Sequence, residues 1–368
     1  MIRRRRGGQR GFTLIELMVA LVISSLLVGM ILSIFLRMSL AYRGQQQVAN
    51  VQGVLAGARA MIEFDAKHAG LGMTKGFRMA STGVDWNPPV RVINSATNPD
   101  EIRFYYADLT VQSYVLSITA GFLQATVDSP TGFGLNDIVV LSAADISNPN
   151  PLAPGVDANL ALQDACVLQI ANISQPSGVW TIDFATVAPY GQAPNSHCPG
   201  MANAMMYKLV GRAYRIDLTR PADGVLQLSP SGGLVPNDWQ DLAYGFTDIQ
   251  VATQFFDNDA ADTADPDADP LREWYSGAMQ QALTSPALAL TPPIQMTISV
   301  VARTDREVEG IATATTPELT VAGNVDFNTL GDRPAIPVPD AVDPMLQGNR
   351  IYRYTTFGVD FRNLAVGR

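Results

Sequence analysis

Residues 12–36 form a run of about two dozen almost wholly apolar positions, interrupted by a single carboxylate, Glu16. At about 1.5 Å per residue such a run rises roughly 37 Å as a helix, enough to cross a hydrocarbon core of about 30 Å. It predicts one membrane-spanning helix. The pattern then changes without breaking: Val48, Val51, Leu55, Ala58, Ile62 and Ala66 recur at three-and-four spacing, one apolar stripe on an otherwise polar helix. Gly70 and Gly72 end it, which predicts a continuous helix over residues 12–69, roughly 87 Å long. Its first half meets lipid or other helices, and its second half is the spine of a globular domain.

Beyond Gly76 the period shortens to that of strands. The segments "EIRFYYADLTVQSYVLSI", "DIVVLSA", "CVLQIANI", "VWTIDFATV", "MYKLVGRAYRIDL", "VLQLS", "FTDIQVATQFFD", "IQMTISVVART" and "RIYRYTTFGVDFRNL" are β-rich and bounded by Gly, Pro, Asn and Asp. They predict an antiparallel sheet packed on the helix, an α+β fold. "REWYSGAMQQALTSP" is expected to be a short helix, and "SATNPDE", "DISNPNPLAPGVDANL" and "TTPELTVAGNVDFNTLGDRPAIPVPDAVDPML" to be loops or insertions.

Charge gives the helix a direction. The chain of 368 residues carries a formal net charge of −9, while Arg3, Arg4, Arg5, Arg6 and Arg10 place five positive charges ahead of the apolar run. Arginines at that density hold the N-terminus in the cytoplasm and imply that the acidic remainder is exported. An acidic exported domain repels phosphates, so no nucleic-acid partner is expected. On that side of the membrane the two cysteines, Cys166 and Cys198, separated by 31 residues, are natural partners for a disulfide, the alternative being two unpaired buried thiols.

A cleavable secretory signal would have a shorter apolar core and a small-x-small ending, and this run has neither. "RGFTLIEL" instead resembles the class III signal of type IV prepilins: a basic leader ending in glycine, then phenylalanine, then glutamate as fifth residue of the mature chain, here Gly11, Phe12 and Glu16. The resemblance implies that prepilin peptidase cuts after Gly11 and methylates the new Phe12 amino group. It also implies that Glu16 faces the Phe12 ammonium of a neighbouring subunit in a filament. A carboxylate buried alone is costly and becomes tolerable when paired, so it would penalise the isolated subunit and favour correct register. The resulting plan is a leader at residues 1–11, a transmembrane and filament-core helix at 12–36, an amphipathic half at 37–69 and a periplasmic β-rich head at 70–368, a pilin-like fold. Major pilins usually carry a proline in the hydrophobic half; here Gly29 and Ser33 are the only comparable soft points.

"MIEFDAKHAGLG", "LAYGFTDIQVATQFFDND", "MTISVVART" and "RIYRYTTFGVDFRNL" narrow the resemblance to PilW-type minor pilins. This implies a non-enzymatic role: priming pilus assembly beside other minor pilins of FimU, PilV, PilX and PilE type and the major pilin. The location implied is first the inner membrane and then the filament tip, with a PilY-type adhesin as a partner. A J-type pseudopilin of a type II secretion system, or a filament subunit that itself grips a surface or DNA, are the alternatives. "DNDAADTADPDAD" supplies Asp257, Asn258, Asp259, Asp262, Asp265, Asp267 and Asp269, hard oxygen donors suited to calcium, or equally a solvated acidic hairpin tip. It lacks the glycine and distal glutamate of an EF-hand loop, and it departs from the compact Asp-Thr-Asp-Gly-Asp-Gly turn of PilW-like chains. "GLGMTKG" lacks phosphate-loop spacing and is expected to be a glycine-capped helix exit. His68 and His197 fit no nucleophile or zinc pattern and are expected to be exposed or hydrogen-bonded.

Overall fold

The computed structural model describes residues 13–73, 77–80, 84–95, 98–119, 124–142, 165–185, 204–219, 224–255, 273–275, 293–304, 352–361 and 363–364. One helix, α1 (Leu14–His68), runs unbroken for 55 residues, about 80 Å. Gly29 and Ser33 do not interrupt it, and the Ser33 hydroxyl donates back to the Met30 carbonyl at 2.8 Å. Its first turns are bare apolar surface, long and apolar enough to cross a membrane. Further along, Val51, Leu55, Ala58, Ile62 and Ala66 are buried as the spacing predicts, Val48 is half-buried, and Asp65 is buried among them.

The strands are β1 (Phe77–Ala80), β2 (Val84–Asn87), β3 (Val90–Ile93), β4 (Glu101–Ile118), β5 (Gln124–Val127), β6 (Ile138–Ser142), β7 (Ala165–Ser174), β8 (Trp180–Phe184), β9 (Met205–Asp217), β10 (Val225–Ser229), β11 (Gln240–Tyr244), β12 (Phe246–Phe255), β13 (Glu273–Tyr275), β14 (Gln295–Arg303) and β15 (Tyr352–Asp360). β4 has the bounds its alternation predicts. β1, β2, β3, β5 and β11, of four or five residues each, were not expected. The start of the expected short helix "REWYSGAMQQALTSP" is instead strand β13, antiparallel to β12 through Thr253↔Tyr275 and Phe255↔Glu273. Pairing with β12 satisfies the backbone of these three residues, and residues 276–286 of the segment lie outside the described residues. The expectation of antiparallel pairing holds except where β1 lies parallel to β7 at Arg78↔Cys166. The long expected insertions over residues 145–160 and 315–346 lie outside the described residues.

The strands form two sheets, a small one in the order β13-β12-β14-β15 and a large one built around β4 and β9. The lower halves of β4 and β9, with β3 and β10, face the helix. Ile102, Phe104, Tyr214, Ile216 and Leu226 from that face join the helix stripe and Phe246, Ile298, Val300, Phe357 and Val359 of the small sheet in one core. The upper halves do something else: β4 pairs β5, β5 pairs β8, β8 pairs β7, β7 pairs β6, β6 pairs β9, and β9 returns to β4. That ring is a closed barrel, which leaves no open edge among its members. Its interior holds a separate core including Val115, Val127, Leu141, Cys166, Leu168, Ile182, Phe184 and Met206. Bulges at Asp108/Gln112 and Val115/Ser117 bend β4 out of the open sheet and into the ring.

Candidate functional site

Two places in the fold bear on function: the start of α1 and the junction where α1 leaves the head. At the start, Thr13 is the N-cap with extended backbone, φ −76° and ψ 151°. Its Oγ1 accepts from the Glu16 amide at 3.4 Å, while Glu16 Oε2 accepts from the Thr13 amide at 2.9 Å and from the Thr13 hydroxyl at 3.0 Å. This is a complete capping box, in which the side chains of cap and third residue satisfy donors that a helix start leaves over. Glu16 therefore has a role inside its own chain as well as a free-standing charge. Both bonds fall on Oε2, and among the described residues Oε1 accepts none. Gly11 and Phe12 lie outside the described residues. From Leu14 to Leu36 the apolar side chains beyond this cap are exposed, a surface that water does not tolerate and that lipid or other helices would cover.

Residues 6–32 match the prokaryotic N-terminal methylation motif. The match spans Arg6, Arg10, Gly11, Phe12, Thr13, Glu16 and most of the apolar run, so the chain carries a prepilin-type signal. No curated protein matches the chain. Among solved structures, a type IV-like pilin from Thermus thermophilus is similar at 13% identity, covering 63% of this chain and 87% of that one with a TM-score of 0.23.

At the far end, the helix meets the large sheet through a buried carboxylate that the sequence reading did not single out. Asp65, 5% exposed, accepts from the Tyr106 hydroxyl at 2.8 Å through Oδ1 and from the Tyr214 hydroxyl through Oδ2. Burial, and next the adjoining carboxylate, push both phenols above their usual range, with the Arg212 guanidinium opposing. Both hydroxyls therefore stay protonated and remain donors. The signal available in the sequence was phase: Asp65 falls three residues after Ile62, on the apolar stripe, where an acidic residue needs a partner.

The exit itself is closed by the C-terminal segment. The Asn363 side chain donates to the Lys67 carbonyl at 3.0 Å, covering one of the last turn's spare acceptors. Gly70, at φ +80°, donates its amide to the Tyr105 carbonyl at 2.9 Å, and a Cβ there would sit 2.1 Å from Leu364 Cδ2. Glycine is required on both counts. This glycine-capped exit is what "GLGMTKG" predicts. His68 is hydrogen-bonded, its Nδ1 lying 2.7 Å from the Phe64 carbonyl, with its ring between those of Phe64 and Tyr106.

Of the other expected site residues, Cys166 is fully buried inside the barrel on β7, and no cysteine among the described residues is free. Cys198 and His197 lie outside the described residues, as do Asp257, Asp259, Asp262, Asp265, Asp267 and Asp269. No three potential metal ligands converge among the described residues.

Proposed function

We propose that this chain is a minor pilin of a type IV pilus, of PilW type, which primes filament assembly and occupies the filament tip. The observation that carries the reading is the methylation motif over residues 6–32 running directly into an uninterrupted helix with bare apolar sides. A membrane anchor needs only the apolar length. A basic leader, a glycine–phenylalanine junction and a carboxylate within the span are needed when the helix is to be cut, methylated and moved into register beside others. Prepilin peptidase is then the processing partner, acting at Gly11 and Phe12. The major pilin and other minor pilins cover the apolar helix, and a PilY-type adhesin is carried at the tip. The N-terminus is cytoplasmic and the head periplasmic before assembly. The role is structural and not enzymatic.

Two further features of the reading belong to the head. Cys166 and Cys198 form a disulfide, and the loop at Asp257, Asp259, Asp262, Asp265, Asp267 and Asp269 binds calcium through carboxylate oxygens. If so, millimolar calcium raises the melting temperature of the full chain and replacing Asp257 and Asp259 by alanine removes the gain. An unchanged melting temperature would make the loop a solvated acidic tip.

The function is tested by isolating the protein from membranes and weighing it. A mature chain beginning at methylated Phe12 that crosslinks to other minor pilins is the expected result. A chain still beginning at Met1 overturns the reading, and crosslinks confined to secretion pseudopilins would transfer the protein to a type II secretion system.

A further inference from the structure

Among its sheet neighbours α1 packs most on β15 and β14 of the small sheet, and its contact with the large sheet is narrower and runs through β4. Yet β4 and β9 of the large sheet are the strands that continue into the barrel. The barrel's orientation on the spine therefore depends on a narrow contact; the helix exit bonds to β4 through the Gly70 amide on the Tyr105 carbonyl and the Ala107 amide on the Leu71 carbonyl, and the buried side-chain tie on the helix itself is Asp65. We propose that Asp65 is an orientation latch, a buried carboxylate that accepts hydrogen bonds from Tyr106 of β4 and Tyr214 of β9 and thereby fixes the barrel-bearing sheet on the helix.

The register explains why one carboxylate can do this. Tyr106 lies opposite Val210 and Tyr214 opposite Ile102, so the two phenols start from opposite ends of a stretch centred on the pair Phe104↔Arg212. Both lean inward to the same residue, one on each oxygen. Displacing Asp65 along the strands toward either tyrosine lengthens its bond to the other, so the pair of bonds is best met at one position. No alternative partner compensates cheaply, because a buried carboxylate without donors is strongly disfavoured. Among the described residues the other charged or titratable groups near the site are Arg212, whose Nη1 donates to the Gly211 and Pro230 carbonyls, Asp108, which acts on Tyr106 from the same strand, and His68, whose ring lies 5.6 Å from that of Tyr106.

Releasing the latch does not release the fold. The two sheets stay joined at Gly245, whose amide donates to the Gly224 carbonyl at 2.8 Å and whose own carbonyl accepts from Arg303 at 2.7 Å. They are joined again at Asp100, which accepts from the Val251 amide at 3.1 Å while its own amide donates to the Ile249 carbonyl at 2.9 Å. Loss of the latch should thus let the large sheet pivot about these connections and the backbone bonds of β4 to Gly70 and Leu71 at the helix exit, while the helix keeps its place on β14 and β15.

The test is a pair of distances in the full chain in detergent micelles, measured between spin labels by double electron–electron resonance. Ala56→Cys with Leu116→Cys reports spine to barrel, and Ala56→Cys with Asp360→Cys reports spine to small sheet; all three positions are exposed. Asp65→Ala and the double variant Tyr106→Phe/Tyr214→Phe should each shift and broaden the spine-to-barrel distance and leave the spine-to-small-sheet distance at its unmutated width. An unchanged spine-to-barrel distance overturns the proposal. So does equal broadening of both pairs, which is general loosening, and so does a response to Asp65→Ala that the tyrosine variant does not reproduce. If Asp65→Ala does not fold, Tyr106→Phe, which keeps the Tyr214 bond, is read by the same criteria.

Discussion

Tyr106 and Tyr214 make the junction sensitive to alkali in a direction that can be worked out. Burial and the Asp65 carboxylate raise both phenols above the value near 10 that they have in the unfolded chain. Their contribution is complete below about pH 10 and declines as pH rises, because the unfolded chain gives up protons that the folded one keeps. The melting temperature of the full chain should fall from about pH 10 upward. Tyr106→Phe/Tyr214→Phe should start lower and fall less steeply, with Tyr105 and Tyr207, also raised by burial, accounting for the slope that remains. Parallel curves would mean that the phenols do not couple folding to protons. Asp65 itself was legible as an acid in phase with an apolar stripe, but its partners were not, since they stand 41 and 149 residues away. Only folding brings them together. Cys166 poses the converse case, its burial visible and its partner proposed. Thiol labelling of the unfolded, unreduced chain should find neither Cys166 nor Cys198, and two labelled cysteines would remove a cross-link worth about 3 to 4 kcal/mol.

Among the elements, α1 was legible nearly to the residue because its two halves follow simple rules: continuous apolarity where lipid or helices surround it, and three-and-four spacing where one face meets a core. The distinction is testable on adjacent residues. Ile62 is fully buried and Met61 is 41% exposed, so Ile62→Ala should cost about 2–5 kcal/mol in urea unfolding of the full chain and Met61→Ala a small fraction of that. Equal costs would mean that the stripe is not what anchors the spine. β4 was equally legible over its 18 residues. Strands such as β3 and β5 escaped because four residues show too little alternation to stand out from a loop, and they are strands by virtue of pairing with β4. The barrel escaped for a different reason: closure is a property of register, set by bulges at Asp108/Gln112 and Val115/Ser117, and apolar alternation carries no record of which edge meets which.

For the whole molecule, the proposed assembly sets the start of the helix beside other subunits, and the capping box gives a way to ask what Glu16 does there. Glu16 has two separable properties, the oxygen that accepts from Thr13 and the negative charge. Alanine removes both. Glutamine keeps the acceptor, since glutamine also serves at the third position of a capping box, and removes only the charge. If Glu16 acts by pairing with the Phe12 ammonium of a neighbour, Glu16→Gln and Glu16→Ala should be equally defective: each inserts, is cut after Gly11 and accumulates, while pili per cell fall and crosslinks to other minor pilins are lost. Because a few minor subunits would start each filament, the fall should be in number more than in length. If the carboxylate matters only for starting the helix, Glu16→Gln should assemble normally and Glu16→Ala alone should fail. Counting pili by electron microscopy separates the two, and normal counts with glutamine would place the importance of Glu16 in its own helix and not in its neighbour.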